Sequence, residues 1–221
     1  MRTLTKGLQD IITPQIALQT LQEGNNRFVN NLRANRNLLQ QVNETKDGQH
    51  PLAVILSCID SRTSAELIFD QGMGDVFSIR IAGNILNDDI LGSMEFACKV
   101  VGVKLVVVLG HTKCGAIKGA VADVKMGNLT QLLAKVKPAV KAAKKASAHL
   151  HLSKDDFIEA VAAANVRLVA QQISERSPVL RGMLEAGEIG IVCGMYSVES
   201  GNVAFYDNEL TMPQHKMAEA I

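Results

Sequence analysis

Residues 104–115 read KLVVVLGHTKCG, and this stretch says most about how the chain folds. Its first six residues give the strongest strand signal in the sequence, because a short, nearly continuous apolar run is typical of a β-strand buried on both faces. His111 and Cys114 follow at once, so two potential metal ligands stand where the strand ends. Strands of this kind occur in parallel sheets connected by helices. The stretch therefore predicts an α/β protein.

Strand and helix signals alternate on both sides of this strand. Further strands are predicted at residues 52–57, 75–80, 189–195 and 203–206. Helices are predicted from Pro14 (with Thr13 as its cap), over 87–101, from near Cys114 and from near Ser153. We expect a single domain over residues 1–221. Its mainly parallel central sheet of four to five strands is flanked by helices, and residues 1–45 form an N-terminal helical arm.

The composition excludes several classes of protein. The chain has 221 residues, 47% of them apolar, and a formal net charge of +1, which gives no reason to expect nucleic acid as a partner. Four cysteines are too few for a disulfide scaffold in a chain of this length. No apolar run approaches ~20 residues, so no membrane-spanning helix is predicted. The cytoplasm is the expected compartment, although a removed signal peptide would place the protein in the periplasm instead.

A second motif stands at the end of the first predicted strand. Cys58-Ile59-Asp60-Ser61-Arg62 follows the strand at 52–57, just as His111 and Cys114 follow theirs. The carboxyl ends of parallel strands meet at one edge of a sheet, so residues 53 apart (111 − 58) are expected to converge. Two thiols and one imidazole are preferred zinc ligands, and the fourth position is left to water or to Asp60.

The charges of these residues indicate how such a site would work. Two thiolates cancel the formal charge of zinc, so bound water should be acidified less than by zinc with three neutral histidines, and activity should rise into mildly alkaline pH. Asp60 and Arg62 are two residues apart and can form a charge-assisted pair. That pair would hold Asp60 off the metal. If Asp60 were released, it could bind zinc and close the site.

These motifs resemble those of the β-class carbonic anhydrases, which carry C-x-D-S-R and H-x-x-C-G after strands of an α/β fold. The resemblance extends to residues 17–28 (ALQTLQEGNNRF), 77–84 (FSIRIAGN) and 110–119. It implies one Zn²⁺ per subunit, bound by Cys58, His111 and Cys114. It also implies reversible hydration of CO2 to bicarbonate and a proton, by attack of zinc-bound hydroxide.

The resemblance also suggests roles for the remaining site residues. Asp60 and Arg62 would form a gating dyad, Gln49 would hydrogen-bond the substrate, and the Gly115 N–H would help to hold bicarbonate. The family builds its site at a dimer interface. We therefore expect a dimer or tetramer in which the arm of residues 1–45 contacts the partner. Gln49, Phe77 and Phe96 would then face a metal held by the other subunit.

Two positions favour the plant-type, non-allosteric subtype of this family. Gln49 is one, and Ile55 is the other, because bicarbonate-inhibited members carry a Trp at that position and this chain has no Trp. Two positions depart from the usual pattern: Ile81 stands where Asn is common, and Phe96 where many members have Tyr. Phe96 makes the predicted pocket more apolar.

Two alternative functions fit the same residues. A hydrolase of CS2 or COS on the same scaffold would use the same metal chemistry, and an apolar Phe96 would suit such a substrate. A non-catalytic, zinc-stabilised binding protein would need only the ligand set. Assays of CO2 hydration and of sulfide release distinguish the three.

Overall fold

The computed structural model describes residues 3–206, and its centre is one five-stranded sheet. The strands lie in the order β2-β1-β3-β4-β5, and only the β4–β5 pair is antiparallel. Their bounds are Ala53–Ser57 for β1, Val76–Arg80 for β2, Leu105–His111 for β3, Gly190–Tyr196 for β4 and Val203–Phe205 for β5. The predicted α/β architecture is confirmed, and each of the five predicted strands is present to within two residues.

The two central strands are buried along their whole length. Val54 and Val106 contribute to the core on one face of the sheet, whereas Ile55 and Val107 contribute to the core on the other. Because successive side chains of a strand point to opposite faces, a strand covered on both faces needs apolar residues at every position. This requirement explains the continuous apolar runs of β1 and β3.

Ten α-helices surround the sheet within residues 3–206. They are α1 (Lys6–Ile11), α2 (Pro14–Val29), α3 (Leu38–Thr45), α4 (Ala65–Ile68), α5 (Asp88–Glu95), α6 (Gly115–Val121), α7 (Gly127–Ala134), α8 (Lys137–Ala146), α9 (Lys154–Arg176) and α10 (Pro178–Glu185). None of the helices in this range is both long and apolar enough to cross a bilayer.

Local hydrogen bonds start the predicted helices where the sequence places them. The Thr13 side chain accepts a hydrogen bond from the Ile16 N–H at the start of α2, with Pro14 at the first helical position. The Ser153 hydroxyl accepts from the Asp156 N–H at the start of α9. The same hydroxyl donates a hydrogen bond to the Asp156 carboxylate at 2.6 Å, so the two side chains are also joined directly.

Three features differ from the sequence-based expectations. The Asn-rich segment after α2 contains the helix α3, which Asn37 caps by accepting from the Gln40 N–H. The helix predicted over 87–101 divides into α5 and a π-helical turn at Phe96–Val101, which ends at Gly102 with φ 93°. His111 is the last residue of β3 and does not follow the strand. The extents of the single domain and of the N-terminal arm stay predictions.

Candidate metal centre

Three side chains from three adjoining elements meet at the carboxyl edge of the sheet. Cys58 directly follows β1, His111 ends β3, and Cys114 occupies the cap position before α6. Their ligand atoms all lie within 4.8 Å of one another, and all three residues are buried. The parallel register of β1 and β3, with Leu56 opposite Val108, brings the two strand ends together. The sheet therefore assembles the ligand set that the sequence predicts.

The imidazole of His111 shows that these residues fit a metal. Its Nδ1 lies 2.9 Å from the Thr112 carbonyl oxygen, a contact in which Nδ1 carries the proton and donates it. Its Nε2 is buried and has no hydrogen-bond partner. A buried polar atom without a partner costs free energy, and a metal ion bound between the thiols would accept this lone pair.

The two thiols also indicate that this site binds a metal ion. Cys58 Sγ and Cys114 Sγ are 4.0 Å apart. The contact with Cys114 lowers the pKa of Cys58, and hydrogen bonds from the N–H groups of Gly83 and Asp60 act in the same direction. The ionised Cys58 in turn raises the pKa of Cys114, as does burial. Only one of the two thiols therefore ionises readily, and holding both as thiolates calls for a cation between them.

Asp60 and Arg62 form a bidentate ion pair beside these ligands. Arg62 Nε lies 2.9 Å from Asp60 Oδ1 and Arg62 Nη2 lies 2.8 Å from Oδ2, while the Arg62 N–H also donates to Oδ1 at 3.0 Å. The side-chain bonds from Arg62 hold the pKa of Asp60 well below its usual range. Asp60 Oδ2 is 3.9 Å from His111 Nε2. The carboxylate thus stands next to the metal position while both of its oxygens are bonded to Arg62.

Sequence reasoning missed the residues that hold the Cys58–Asp60 turn in place. Arg80, at the end of β2, donates to the Cys58 carbonyl at 3.0 Å and to the Asp60 carbonyl at 2.6 Å. The Thr63 hydroxyl lies 3.0 Å from the first of these carbonyls and 2.8 Å from the second. Their only signal in the sequence was proximity, since Thr63 follows the C-x-D-S-R motif and Arg80 lies within FSIRIAGN.

The two glycines near the metal ligands play different parts. Gly115 is the first residue of α6, directly after Cys114, and an added Cβ there would have nothing within 4 Å. The side of Gly115 on which a side chain would stand is therefore open space. Gly83 has φ 68° and donates its N–H to Cys58 Sγ at 3.3 Å. The neighbouring departure from the family pattern, Ile81, packs against two apolar cores.

Three predicted substrate residues lie away from the candidate metal ligands of their own chain. Gln49 precedes the amino end of β1, whereas Cys58 follows its carboxyl end, and the five residues of β1 alone span about 17 Å. Phe77 and Phe96 line one groove of about 710 Å³, together with Val54, Ile79, Gly92 and Ala97. No metal ligand lines this groove. Within one described subunit, these three residues therefore do not lie beside the metal ligands.

The sheet and the site together define a class of protein. A mainly parallel sheet of an α/β fold that presents two thiols, one imidazole and an arginine-bound carboxylate at its carboxyl edge is the arrangement of a metal-dependent α/β enzyme. Comparisons with known proteins identify the family. Residues 53–203 match the family model described as carbonic anhydrase. The chain belongs to the carbonic anhydrase family, and its fold is that of the β class, which makes it a zinc-dependent lyase of the carbonate dehydratase type.

Similar proteins cover most of the chain. The carbonic anhydrase of Mycolicibacterium smegmatis is 36% identical over 197 residues, which cover 86% of this chain and 92% of that protein. Carbonic anhydrase 2 of Mycobacterium tuberculosis is 35% identical over 207 residues and covers 88% and 94%. Among solved structures, the β-carbonic anhydrase CafA of Aspergillus fumigatus is 30% identical, with a TM-score of 0.69 over 76% of this chain and 81% of that one.

Proposed function

We propose that this chain hydrates CO2 reversibly to bicarbonate and a proton, with one zinc ion per subunit bound by Cys58, His111 and Cys114. The observation that carries this proposal is the buried, unpartnered Nε2 of His111, which lies within 4.8 Å of both thiols. Bound zinc would polarise water and lower its pKa, so that it can attack CO2 at ordinary pH. The residues around that position would orient the water and hold the product.

Asp60 and Arg62 are proposed to keep the fourth coordination position open. Arg62 bonds both carboxylate oxygens of Asp60, so the carboxylate is not free to enter the metal site. An ionised carboxylate accepts hydrogen bonds but donates none, so from its place 3.9 Å from His111 Nε2 it would orient a water at the metal. The adjacent Gly115 N–H is proposed to hold the bicarbonate product.

Two residues are the basis for proposing the plant-type, non-allosteric subtype. Ile55, at the position where bicarbonate-inhibited relatives carry Trp, is fully buried within the apolar core formed by one face of the sheet. An isoleucine there offers no N–H to an anion. The subtype proposal is thus supported by Ile55 together with Gln49.

The protein is expected to be more active at mildly alkaline pH than at neutral pH. Two thiolate ligands leave the metal site with less positive charge than three neutral histidines would, so water is acidified less strongly. Stopped-flow CO2 hydration between pH 7 and pH 9, on protein of measured zinc content, tests this expectation and the function together. A rate that is already constant below pH 7 would contradict the charge argument.

Sulfide release from COS without CO2 hydration would support the alternative hydrolase, and zinc binding without either activity would support a binding protein.

A homodimer, alone or paired into a tetramer, is proposed as the active unit. β2 is an edge strand that pairs only with β1 in residues 3–206, and the groove containing Phe77 and Phe96 lies alongside it. Phe96 is 53% exposed, a large fraction for an aromatic side chain. If this edge faces a second copy, then Gln49, Phe77 and Phe96 can complete the metal site of the partner. The helical arm of residues 1–45 is proposed to contact that partner.

Mixing two defective variants would test whether Gln49 acts across the dimer. Cys58→Ala removes the metal from its own subunit, and Gln49→Ala removes the substrate amide. If Gln49 serves the partner's site, each mixed dimer regains one complete site, so a refolded equal mixture should recover roughly a quarter of wild-type activity. Each variant refolded alone is the control. Activity no higher than the average of the two controls would mean that Gln49 acts within its own subunit or not at all.

The cytoplasm is proposed as the compartment. All four cysteines lie in the described range and are unpaired, which suits a reducing environment. Fractionation of cells that express the natural gene tests this placement, and recovery of the protein in a periplasmic extract would contradict it.

A further inference from the structure

The helix α9 extends two polar side chains towards the loops that carry the metal ligands. Asn165 and Glu159 are six residues apart on this helix, and neither is a ligand. Each makes one hydrogen bond to backbone that is distant in sequence, 82 residues away for Asn165 and 46 residues away for Glu159. Both backbone positions adjoin or contact a metal ligand.

Asn165 acts on the loop that contacts Cys58. Its side chain is 2% exposed, and its amide donates to the Gly83 carbonyl oxygen at 2.9 Å. Gly83 has φ 68°, a conformation that favours glycine, and an added Cβ would lie 3.3 Å from that of Ala116. In this conformation the Gly83 N–H points at Cys58 Sγ, 3.3 Å away. Asn165 therefore fixes the residue that hydrogen-bonds a metal thiol.

Glu159 acts on the turn that carries the other two ligands. Its Oε1 accepts a hydrogen bond from the Lys113 N–H at 2.7 Å, and its Oε2 is buried without a hydrogen-bond partner. Lys113 lies between His111 and Cys114 and has φ 55°, which is uncommon for a residue with a side chain. This left-handed residue turns the chain so that both ligands face one point, and Glu159 holds its N–H.

We propose that Asn165 and Glu159 are positioning residues for the metal centre: Asn165 sets Cys58 through Gly83, and Glu159 sets the His111–Cys114 turn through Lys113. The inference rests on the proposed zinc site but not on the proposed reaction. Partners that orient the ligands of a metal typically contribute 10-fold to 100-fold to its affinity. One helix would therefore tune the affinity of the site from outside it.

Zinc affinity of the Asn165→Leu variant tests the first half of this proposal. Leu has a similar size but no donor, so we expect the zinc dissociation constant, measured by competition with a chelator, to rise about 10-fold or more. The thiolate-to-metal charge-transfer band of the Co²⁺-substituted protein should also shift, because the Gly83 N–H would no longer be fixed on Cys58. Asn165→Asp, which keeps the shape and replaces the donor with an acceptor, is expected to behave in the same way at pH 8.

The matched control is Asn25→Leu. Asn25 is another buried asparagine whose amide bonds only backbone groups, namely the carbonyls of Ile68 and Gly201 and the N–H of Val203. Its loss should reduce stability and leave the zinc dissociation constant and the Co²⁺ spectrum unchanged. A merely structural role for Asn165 predicts the same result as for Asn25.

Glu159 is tested by a rescue. Glu159→Gln keeps an oxygen that can accept from the Lys113 N–H, so its zinc affinity should match the wild type, whereas Glu159→Leu should bind zinc about 10-fold more weakly. Equal zinc affinity and an unchanged Co²⁺ spectrum in Asn165→Asp and Glu159→Leu would overturn the proposal, whether or not Asn165→Leu folds. A wild-type protein that binds no zinc would instead overturn the proposed function.

Discussion

The Cys58→Ala variant is expected to lose its zinc and, with it, all CO2 hydration above the uncatalysed rate. Cys58 is one of only three candidate ligands in the cluster, and its thiol is the one whose pKa is lowered by its neighbours. Alanine leaves two protein ligands and a single thiolate, too few to hold zinc at ordinary free concentrations. Metal analysis after dialysis against a weak chelator, followed by stopped-flow hydration, measures both losses.

Cys98→Ala is the matched control for this variant. Cys98 is also buried, but it lies in the π-helical turn on the apolar core, where burial raises the pKa of its thiol to about 12. It behaves as a small apolar residue, so its replacement should cost about 1 kcal/mol of stability and leave zinc and activity intact. Zinc retained at one per subunit in Cys58→Ala, or lost in Cys98→Ala, would mean that the ligand set is wrong.

The Asp60→Asn variant is expected to keep its zinc and lose activity by about 100-fold or more. The neutral amide offers one acceptor oxygen in place of two, so the bidentate pair with Arg62 is broken. The amide NH2 would then face either Arg62 or the metal position, and neither orientation reproduces the acceptor that we assign to Asp60. Zinc content, kcat and KM measured on the same preparation separate this loss from a loss of metal.

The low pKa of Asp60 sharpens the interpretation of this variant. The hydrogen bonds from Arg62 keep the pKa of the carboxyl below its ordinary value, so Asp60 is ionised throughout the neutral and alkaline range. A rise in activity with pH must therefore come from another group, and the residual activity of Asp60→Asn should keep that rise. A flat residual profile would tie the alkaline rise to Asp60.

Asp123→Asn serves as the control for the change of carboxylate to amide. Asp123 is exposed, pairs with Lys125 and Lys137, and is not part of the ligand cluster. Exposed ion pairs contribute little, so this variant should retain both zinc and activity. Wild-type activity in Asp60→Asn would reject the dyad as a catalytic unit, whatever its effect on stability.

The sequence predicted the fold and the ligand set because both depend on local patterns. A strand buried on both faces needs apolar residues throughout, which made β1 and β3 visible, and ligands placed directly after such strands must meet at one edge. The helix α3 was missed because it is only eight residues long and its capping residue, Asn37, lies within a polar, Asn-rich segment. The division of the helix at 87–101 depends on packing and left no signal in its apolar spacing.

The supporting contacts of the site could not be predicted for a different reason. Arg80, Asn165 and Glu159 act on backbone atoms that are 20 to 82 residues away in sequence, and backbone groups carry no residue-specific signal. No spacing rule connects such partners. Only the folded chain shows that α9 touches both ligand loops.

The pairing of β1 with β3 has a consequence for the order in which the protein matures. Cys58 and His111 are 53 residues apart (111 − 58), and they meet only after the two parallel strands have paired. Contacts between distant residues form late, because the chain between them must first be ordered. Binding of zinc by all three ligands therefore requires that β1 and β3 have paired, and it stabilises the folded chain by mass action. Metal binding is thus a late step in the maturation of a newly made subunit, and it stabilises the folded state.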